Sequence, residues 1–270
     1  KELTRDGILD CLRKRHHYGT TGTRLHLDVR ATLPSGGQLF DRDPNAFDDA
    51  SSQTVNEVMM GDIVQTDGKT LTLNVEIAAQ TPIERVEIRN GSEVLKTVRG
   101  YEAQDLGERI RVIWSGAEYR GRGRETSWVG RAKFGNAVVH RMSKINAWNH
   151  ERQLEVQGAD TVIFDAITTG NFGGFDAWIT PRAPGELDIA TNHGTLRVPL
   201  ADIAVEDHIL EAGGLERKIR AFRLPEEISK LSLSTTLEIP LKASGDNPIW
   251  VCVTTEDGFQ AWSSPIYAFR

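Results

Sequence analysis

The side chains in this sequence that could do chemistry are few and scattered. His16 and His17 stand together beside Tyr18, Thr20 and Thr21, a group able to donate to and accept from a polar ligand. His26 and Asp28 are two residues apart, which puts both on one face of a strand and imitates half of a metal site. Arg24 and Arg30 share that face, so a salt-bridged, exposed row explains it better than a cation site. Asp41-Arg-Asp43-Pro-Asn45 opens like a calcium loop. Ala46 replaces the turn glycine and Ser52 the bidentate glutamate, which excludes an EF-hand. Arg120, Arg122 and Arg124 lie between Trp114 and Trp128. That pattern suits a sugar, phosphate or nucleic-acid surface, and a charged strand edge explains it without any ligand. Ser263 and Ser264 lack a Gly-x-Ser-x-Gly setting and precede Pro265, so neither reads as a nucleophile. The seven histidines form no His-x-His or Asp-x-His pair, and a hydrolytic metal needs three or more converging ligands. The chain by itself is therefore expected to hold no metal.

Stepping along the backbone, residues 3–22 predict one amphipathic helix closed by a polar turn. Thr4 is the natural N-cap, Asp6 complements the dipole, and Leu3 with Ile8 suggests a hydrophobic staple. Ile8, Leu9, Cys11 and Leu12 form a short apolar stripe, followed by Arg13, Lys14 and Arg15 at the C-terminal end. His16 and His17 fall where the helix ends. Adjacent helical side chains point about 100° apart, so the two do not share one ion. A helix this short needs a partner layer, and no later segment offers an obvious one.

Everything after the turn reads as strands. Residues 23–33 alternate, with Leu25, Leu27, Val29 and Ala31 on one face. Residues 34–53, with Pro34-Ser-Gly-Gly and an acidic cluster, predict an exposed loop. Strands over 55–64 and 70–78 and a hairpin of 83–88 with 94–98 about Asn90-Gly91 predict a small antiparallel, immunoglobulin-like meander across 55–100. Between 109 and 241 about ten strand signals recur with Gly and Pro punctuation; residues 201–210 suit either a short helix or a strand. Residues 250–254 and 261–269, joined at Asp257-Gly258, predict a closing hairpin that pairs with the 55–100 sheet, with Trp262 as a core anchor. The expected fold is mainly β: antiparallel β-sandwich regions preceded by one short helix. The expected division is 1–22, then a sandwich of 23–107 with 242–270, and a second β unit over 108–241.

Leu12-Arg-Lys-Arg-His-His-Tyr-Gly-Thr-Thr-Gly22, followed by Arg24-Leu-His-Leu-Asp28, resembles a junction in the DUF3604 family. Those proteins carry a PHP-type metal-dependent hydrolase domain and are related to carbaryl-hydrolase-like metallohydrolases. Trp250-Val-Cys-Val-Thr254, Glu256-Asp-Gly258 and Gln260-Ala-Trp-Ser-Ser-Pro-Ile-Tyr267 resemble that family's terminal hairpin. Trp114-Ser-Gly116, Arg120-Gly-Arg122 and Trp128-Val-Gly130 are similar to internal landmarks. The resemblance implies that the helix is the last of a PHP-like barrel and that the metal ligands precede residue 1. It implies zinc, manganese or iron in the intact enzyme, and an ester, phosphoester or carbamate substrate. His16, His17, Tyr18, Thr20, Thr21, Arg120 and Arg122 then become candidates for the barrel mouth or for substrate contact. The chain is accordingly expected to be a C-terminal fragment whose partner is that catalytic domain. The alternative is a non-catalytic sandwich that binds a glycan or a protein through exposed tryptophans.

Composition agrees with a folded β protein of 270 residues, 39% hydrophobic and 26% charged. The net charge of −6, with a pI near 5.7, argues against a nucleic-acid partner. No apolar run approaches the roughly 20 residues needed to span a bilayer. Two cysteines, Cys11 and Cys252, are not expected to form a disulfide framework.

Overall fold

Period-two alternation of apolar residues builds nearly every element. The computed structural model describes residues 3–22 and 24–270. One unit comprises Lys1–Gly100 with Ser229–Arg270, the other Tyr101–Ile228. After α1 (Arg5–Arg13), the first unit forms β1 (Tyr18–Thr20), β2 (Leu25–Phe40), β3 (Ser52–Met59), β4 (Ile63–Gln65), β5 (Thr70–Ala79), β6 (Ile83–Asn90) and β7 (Glu93–Val98). The second unit forms β8 (Arg109–Ala117), β9 (Thr126–Phe134), β10 (Ala137–Ile145), β11 (Leu154–Gln157) and β12 (Thr161–Thr168). It continues with β13 (Phe172–Pro181), β14 (Glu186–Thr191), β15 (Gly194–Pro199), β16 (His208–Glu211) and β17 (Leu215–Leu224). The chain then returns to the first unit for β18 (Ser232–Pro240), β19 (Asp246–Thr255), β20 (Gln260–Ser263) and β21 (Ile266–Phe269).

The first unit is a sandwich whose two layers share one ladder, β1-β20-β19-β21-β4-β2-β5-β18, with β3 added to β2 and β6-β7 to β19. Leu27, Val29 and Ala31 of β2 and Leu71, Leu73 and Val75 of β5 are buried against Val86 and Ile88 of β6 and Ile249, Val251 and Val253 of β19. β4 joins the layers, antiparallel to β2 and parallel to β21. The mainly β fold with antiparallel pairing after one short helix is as expected; among the described residues only this β4–β21 pair runs parallel.

Several sequence expectations change here. Residues 34–40 are not loop: β2 runs through Pro34 to Phe40, absorbing Pro34-Ser-Gly-Gly as a register shift between Thr32 and Gly37, with Gly36 at φ +69°. A bulge supplies what Gly and Pro need without ending the strand. The 55–64 strand breaks at Gly61-Asp62 into β3 and β4. Residues 55–100 are no meander, since β5 pairs with β2 and β18 while β6 pairs with β7 and β19. Ser232–Pro240, assigned from sequence to the middle region, pairs instead with β5. The terminal segment does lie on β6, Trp250 opposite Arg89 and Val253 opposite Val86. Its return strand is split by Ser264-Pro265, β20 pairing with Cys252–Thr254 and β21 with Asp246–Ile249. Trp262 is half-buried on the face opposite Ala261 and lies outside the core cluster, so it is no core anchor. Cys11 and Cys252 are both free thiols.

The second unit packs two antiparallel five-stranded sheets, β10-β13-β8-β17-β16 and β11-β12-β9-β14-β15. Trp114 stacks on Phe164 between them, ring centroids 4.7 Å apart, within a core that includes Trp128, Phe134 and Phe175. Residues 201–207 carry no regular element and β16 starts at His208. On the other face of the first sheet, Asp176 is buried between Arg109 and Arg111. Its Oδ2 accepts from Arg109 Nη2 at 2.5 Å and its Oδ1 from Arg111 Nε at 2.7 Å. Burial pushes the Asp176 carboxyl up, but the two guanidiniums outweigh it and hold the group below its ordinary value.

Candidate functional site

The helix end and the turn that follows it are tied to the turn between β3 and β4 through Arg15, His16, Gly61 and Asp62. Thr4 caps α1 as expected, its Oγ1 accepting from Gly7 N at 3.1 Å. The helix nevertheless buries no residue. Leu3 is 91% exposed, Ile8 50% and Leu12 52%, so the staple does not form and the apolar stripe stays wet. The helix stops at Lys14 through a Schellman arrangement: His16 N donates to Cys11 O at 2.9 Å and Arg15 N to Leu12 O at 3.1 Å. Arg15 takes the left-handed position at φ +60°, where glycine is the usual residue.

Tertiary contacts hold Arg15 there. Arg15 Nε donates to Gly61 O at 2.9 Å, and Gly61 N donates to Pro265 O at 2.9 Å. A Cβ on Gly61 would lie 2.4 Å from Arg15 O and 2.6 Å from Lys14 O, so the approach needs a residue without one. Next in the chain, His16 Nε2 sits 2.7 Å from Asp62 Oδ1, both side chains about 13% exposed. Asp62 Oδ2 accepts from Met59 N at 2.8 Å, which closes the turn between β3 and β4.

The other residues singled out from sequence divide between this junction and the second unit. His17 is exposed, and its carbonyl accepts from Ser264 N at 3.1 Å. Tyr18 donates its hydroxyl to Leu25 O at 2.8 Å. Tyr18 to Thr20 form β1 beside β20, so these residues are strand where a polar turn was expected. Thr21 Oγ1 accepts from Gln260 N at 2.9 Å. Arg120 and Arg122 belong to the second unit, in the exposed connection between β8 and β9. The tryptophans that flank them in sequence, Trp114 and Trp128, are 2% and 0% exposed and offer no stacking platform. Trp128 Nε1 instead donates to Thr168 Oγ1 at 2.9 Å.

His26-x-Asp28 is the salt-bridged face that the arginines suggest. Arg30 Nε donates to Asp28 at 2.8 Å and Arg30 Nη1 to Glu57 at 3.3 Å. These hydrogen bonds, Asp28 first, raise the Arg30 guanidinium above its ordinary value. The acidic loop binds itself, with Asp43 Oδ1 accepting from Asn45 N and Asp41 Oδ1 from Ser51 N, each at 2.9 Å. Ser263 accepts from Val251 N at 3.0 Å and is buried.

Sequence reasoning missed Arg15, Gly61 and Asp62. The available signal was the Gly-Asp dipeptide inside the 55–64 run, a turn marker. The zinc, manganese or iron implied by the resemblance finds no ligand set here. His16 and Asp62 are two donors bonded to each other, and no group of three or more His, Cys, Asp or Glu comes together among the described residues. No helix among them is long and apolar enough to cross a membrane. Compared with family models, curated proteins and solved structures, the chain finds no match.

Proposed function

We propose that this chain is the accessory β region of a PHP-type metal-dependent hydrolase, with α1 and its turn as the seat of the catalytic domain. The observation that carries the reading is the contrast within residues 4–21. The helix is amphipathic and buries nothing, yet its end is held to the sandwich by Arg15, His16 and β1. An apolar stripe fixed in place and left uncovered is a surface built to be covered. Burying Ile8, Leu9 and Leu12 contributes about 1.5–3 kcal/mol each, a gain this chain does not realise internally. The sequence resemblance names what covers it: a preceding PHP-like barrel.

In this reading the metal ions belong to the barrel, where they supply a hydroxide nucleophile and stabilise the developing oxyanion. The substrate is a small ester, phosphoester or carbamate. The residues of this chain bind no metal; they orient the helix against the barrel and shape its entrance from Lys14 to Thr21.

The test compares this chain with one extended upstream. The extended protein is expected to hydrolyse an aryl ester or phosphodiester in a zinc- or manganese-dependent way, and its amides over residues 5–13 should exchange far more slowly than here. An extended protein with no such turnover and unchanged exchange at α1 would overturn the reading.

A further inference from the structure

A cleft of about 520 Å³ opens beside the junction, lined by Lys14, Arg15 and Arg30 and by the partly exposed apolar side chains of Leu39, Phe40 and Met59. Its carboxylates are already engaged: Asp62 with His16 and the Met59 amide, Glu57 with Arg30, and Asp41 with the Ser51 amide. Its three cations equal its three carboxylates in number, but one of them, Arg15, has no carboxylate partner among the described residues. Arg15 is half-buried, and its guanidinium bonds only to main-chain carbonyls, Nε to Gly61 O at 2.9 Å and Nη1 to Arg13 O at 3.3 Å. No carboxylate among the described residues pairs with it, and its Nη2 takes part in neither bond. Lys14 stands beside it, 52% exposed and, among the described residues, paired along its own helix with Asp10 at 3.1 Å.

A guanidinium taken partly out of water without a counter-charge is unfavourable, and its planar fork matches carboxylate and phosphate oxygens. We infer that this cleft binds a small oxyanion carrying an apolar substituent, an aryl phosphate or aryl carboxylate, with Arg15 as the principal contact. Lys14 supplies a second positive charge at the rim, and Leu39, Phe40 and Met59 receive the substituent. Arg15 is preset for this role, since its left-handed backbone and its bond to Gly61 hold the guanidinium in one place before any ligand arrives. The inference stands on the first unit alone and does not depend on a hydrolase domain preceding it.

The experiment titrates the chain with phenyl phosphate, benzoate and phenol at constant ionic strength, following amide chemical shifts. Saturable shifts at residues 14–16 and 51–62 are expected with at least one of the two anions, at a Kd of about 1 mM or tighter, and none with phenol. Binding of phenyl phosphate alone identifies phosphate monoesters; binding of benzoate alone identifies carboxylates; binding of both identifies the shared chemistry. Arg15→Gln should weaken binding by at least about tenfold. Lys14→Met, at an exposed position that leaves the fold untouched, should weaken it by about threefold. No saturable shift at these residues with either anion up to about 10 mM overturns the inference. So does an equal response to phenol, or an affinity unchanged in both variants.

Discussion

Gly61→Ala tests the junction most directly. Gly61 sits at φ +97°, a region that costs an L-residue about 1–2 kcal/mol. The added methyl would also meet two main-chain oxygens, Arg15 O at 2.4 Å and Lys14 O at 2.6 Å. Neither belongs to a side chain that can rotate away, so the turn over residues 14–16 must move. Moving it gives up the Arg15 bond to Gly61 O and strains the His16–Asp62 pair. A hydrogen bond to a charged group contributes about 1.5–3 kcal/mol. Undocking is therefore cheaper than distorting β3 and β4, whose Val58 and Val64 lie in the core. The expected loss is about 2–4 kcal/mol in the stability of the first unit. Hydrogen exchange is the decisive assay: the amides of His16 and Ser264 should exchange about 10²-fold faster, while those of β2, β5 and β19 keep their relative protection. Unchanged protection at His16 and Ser264, with an unchanged melting transition, would refute the argument that this glycine holds the turn.

Asp62→Ala should cost about 1–3 kcal/mol by leaving the Met59 amide and His16 without their acceptor, measured by urea unfolding, and its exchange effects should match those of Gly61→Ala. Asp176→Leu removes the carboxylate that Arg109 and Arg111 share in the interior and should destabilise the second unit by about 3–5 kcal/mol, leaving the first unit's transition in place in calorimetry. Because the Asp176 carboxyl is lowered in the folded state, its contribution is fully present above the unfolded value of about 3.9 and is lost as pH falls through the lower folded value. An acid titration of stability in Asp176→Asn should lack that part of the decline. Leu12→Ser should change the stability of this chain by less than about 0.5 kcal/mol, since Leu12 is 52% exposed, and, on the function proposed above, should weaken association with the catalytic domain.

Much of the local structure was legible in the sequence because local geometry determines it. Asn90-Gly91 turns β6 into β7 with Gly91 at φ +61°, because a tight hairpin needs positive φ and these residues tolerate it. Thr4 caps the helix because a short side-chain oxygen reaches the first turn wherever the chain enters it. The inward rows Leu25-Leu27-Val29 and Leu71-Leu73-Val75 alternate visibly and are buried as that alternation requires. Of the junction, the sequence marked His16 and Tyr18 as chemically notable, and it showed the helix to be short of a partner.

Other features were illegible because their cause lies far along the chain. Alternation tells a residue which face it takes and says nothing of which strand lies beside it, so the expected meander became two layers with β5 and β6 on opposite sides. Pro34-Ser-Gly-Gly reads as a loop by its residue types, yet β3 pairs with β2 on both sides of it and β4 takes the far edge beyond it, so it is carried as a bulge. A left-handed arginine has no local signature. Arg15 adopts that conformation because Gly61, 46 residues away, leaves room for its carbonyl and accepts its side-chain proton. His16 meets Asp62 over the same separation. The sequence by itself determined the period of the strands, the turn types and the start of the helix, all consequences of sterics within a few residues. Strand pairing, the docking of Arg15 and His16 on Gly61 and Asp62, and the ion pairing of the cleft were decided only by the tertiary structure, because each depends on atoms that come together only when distant segments pack.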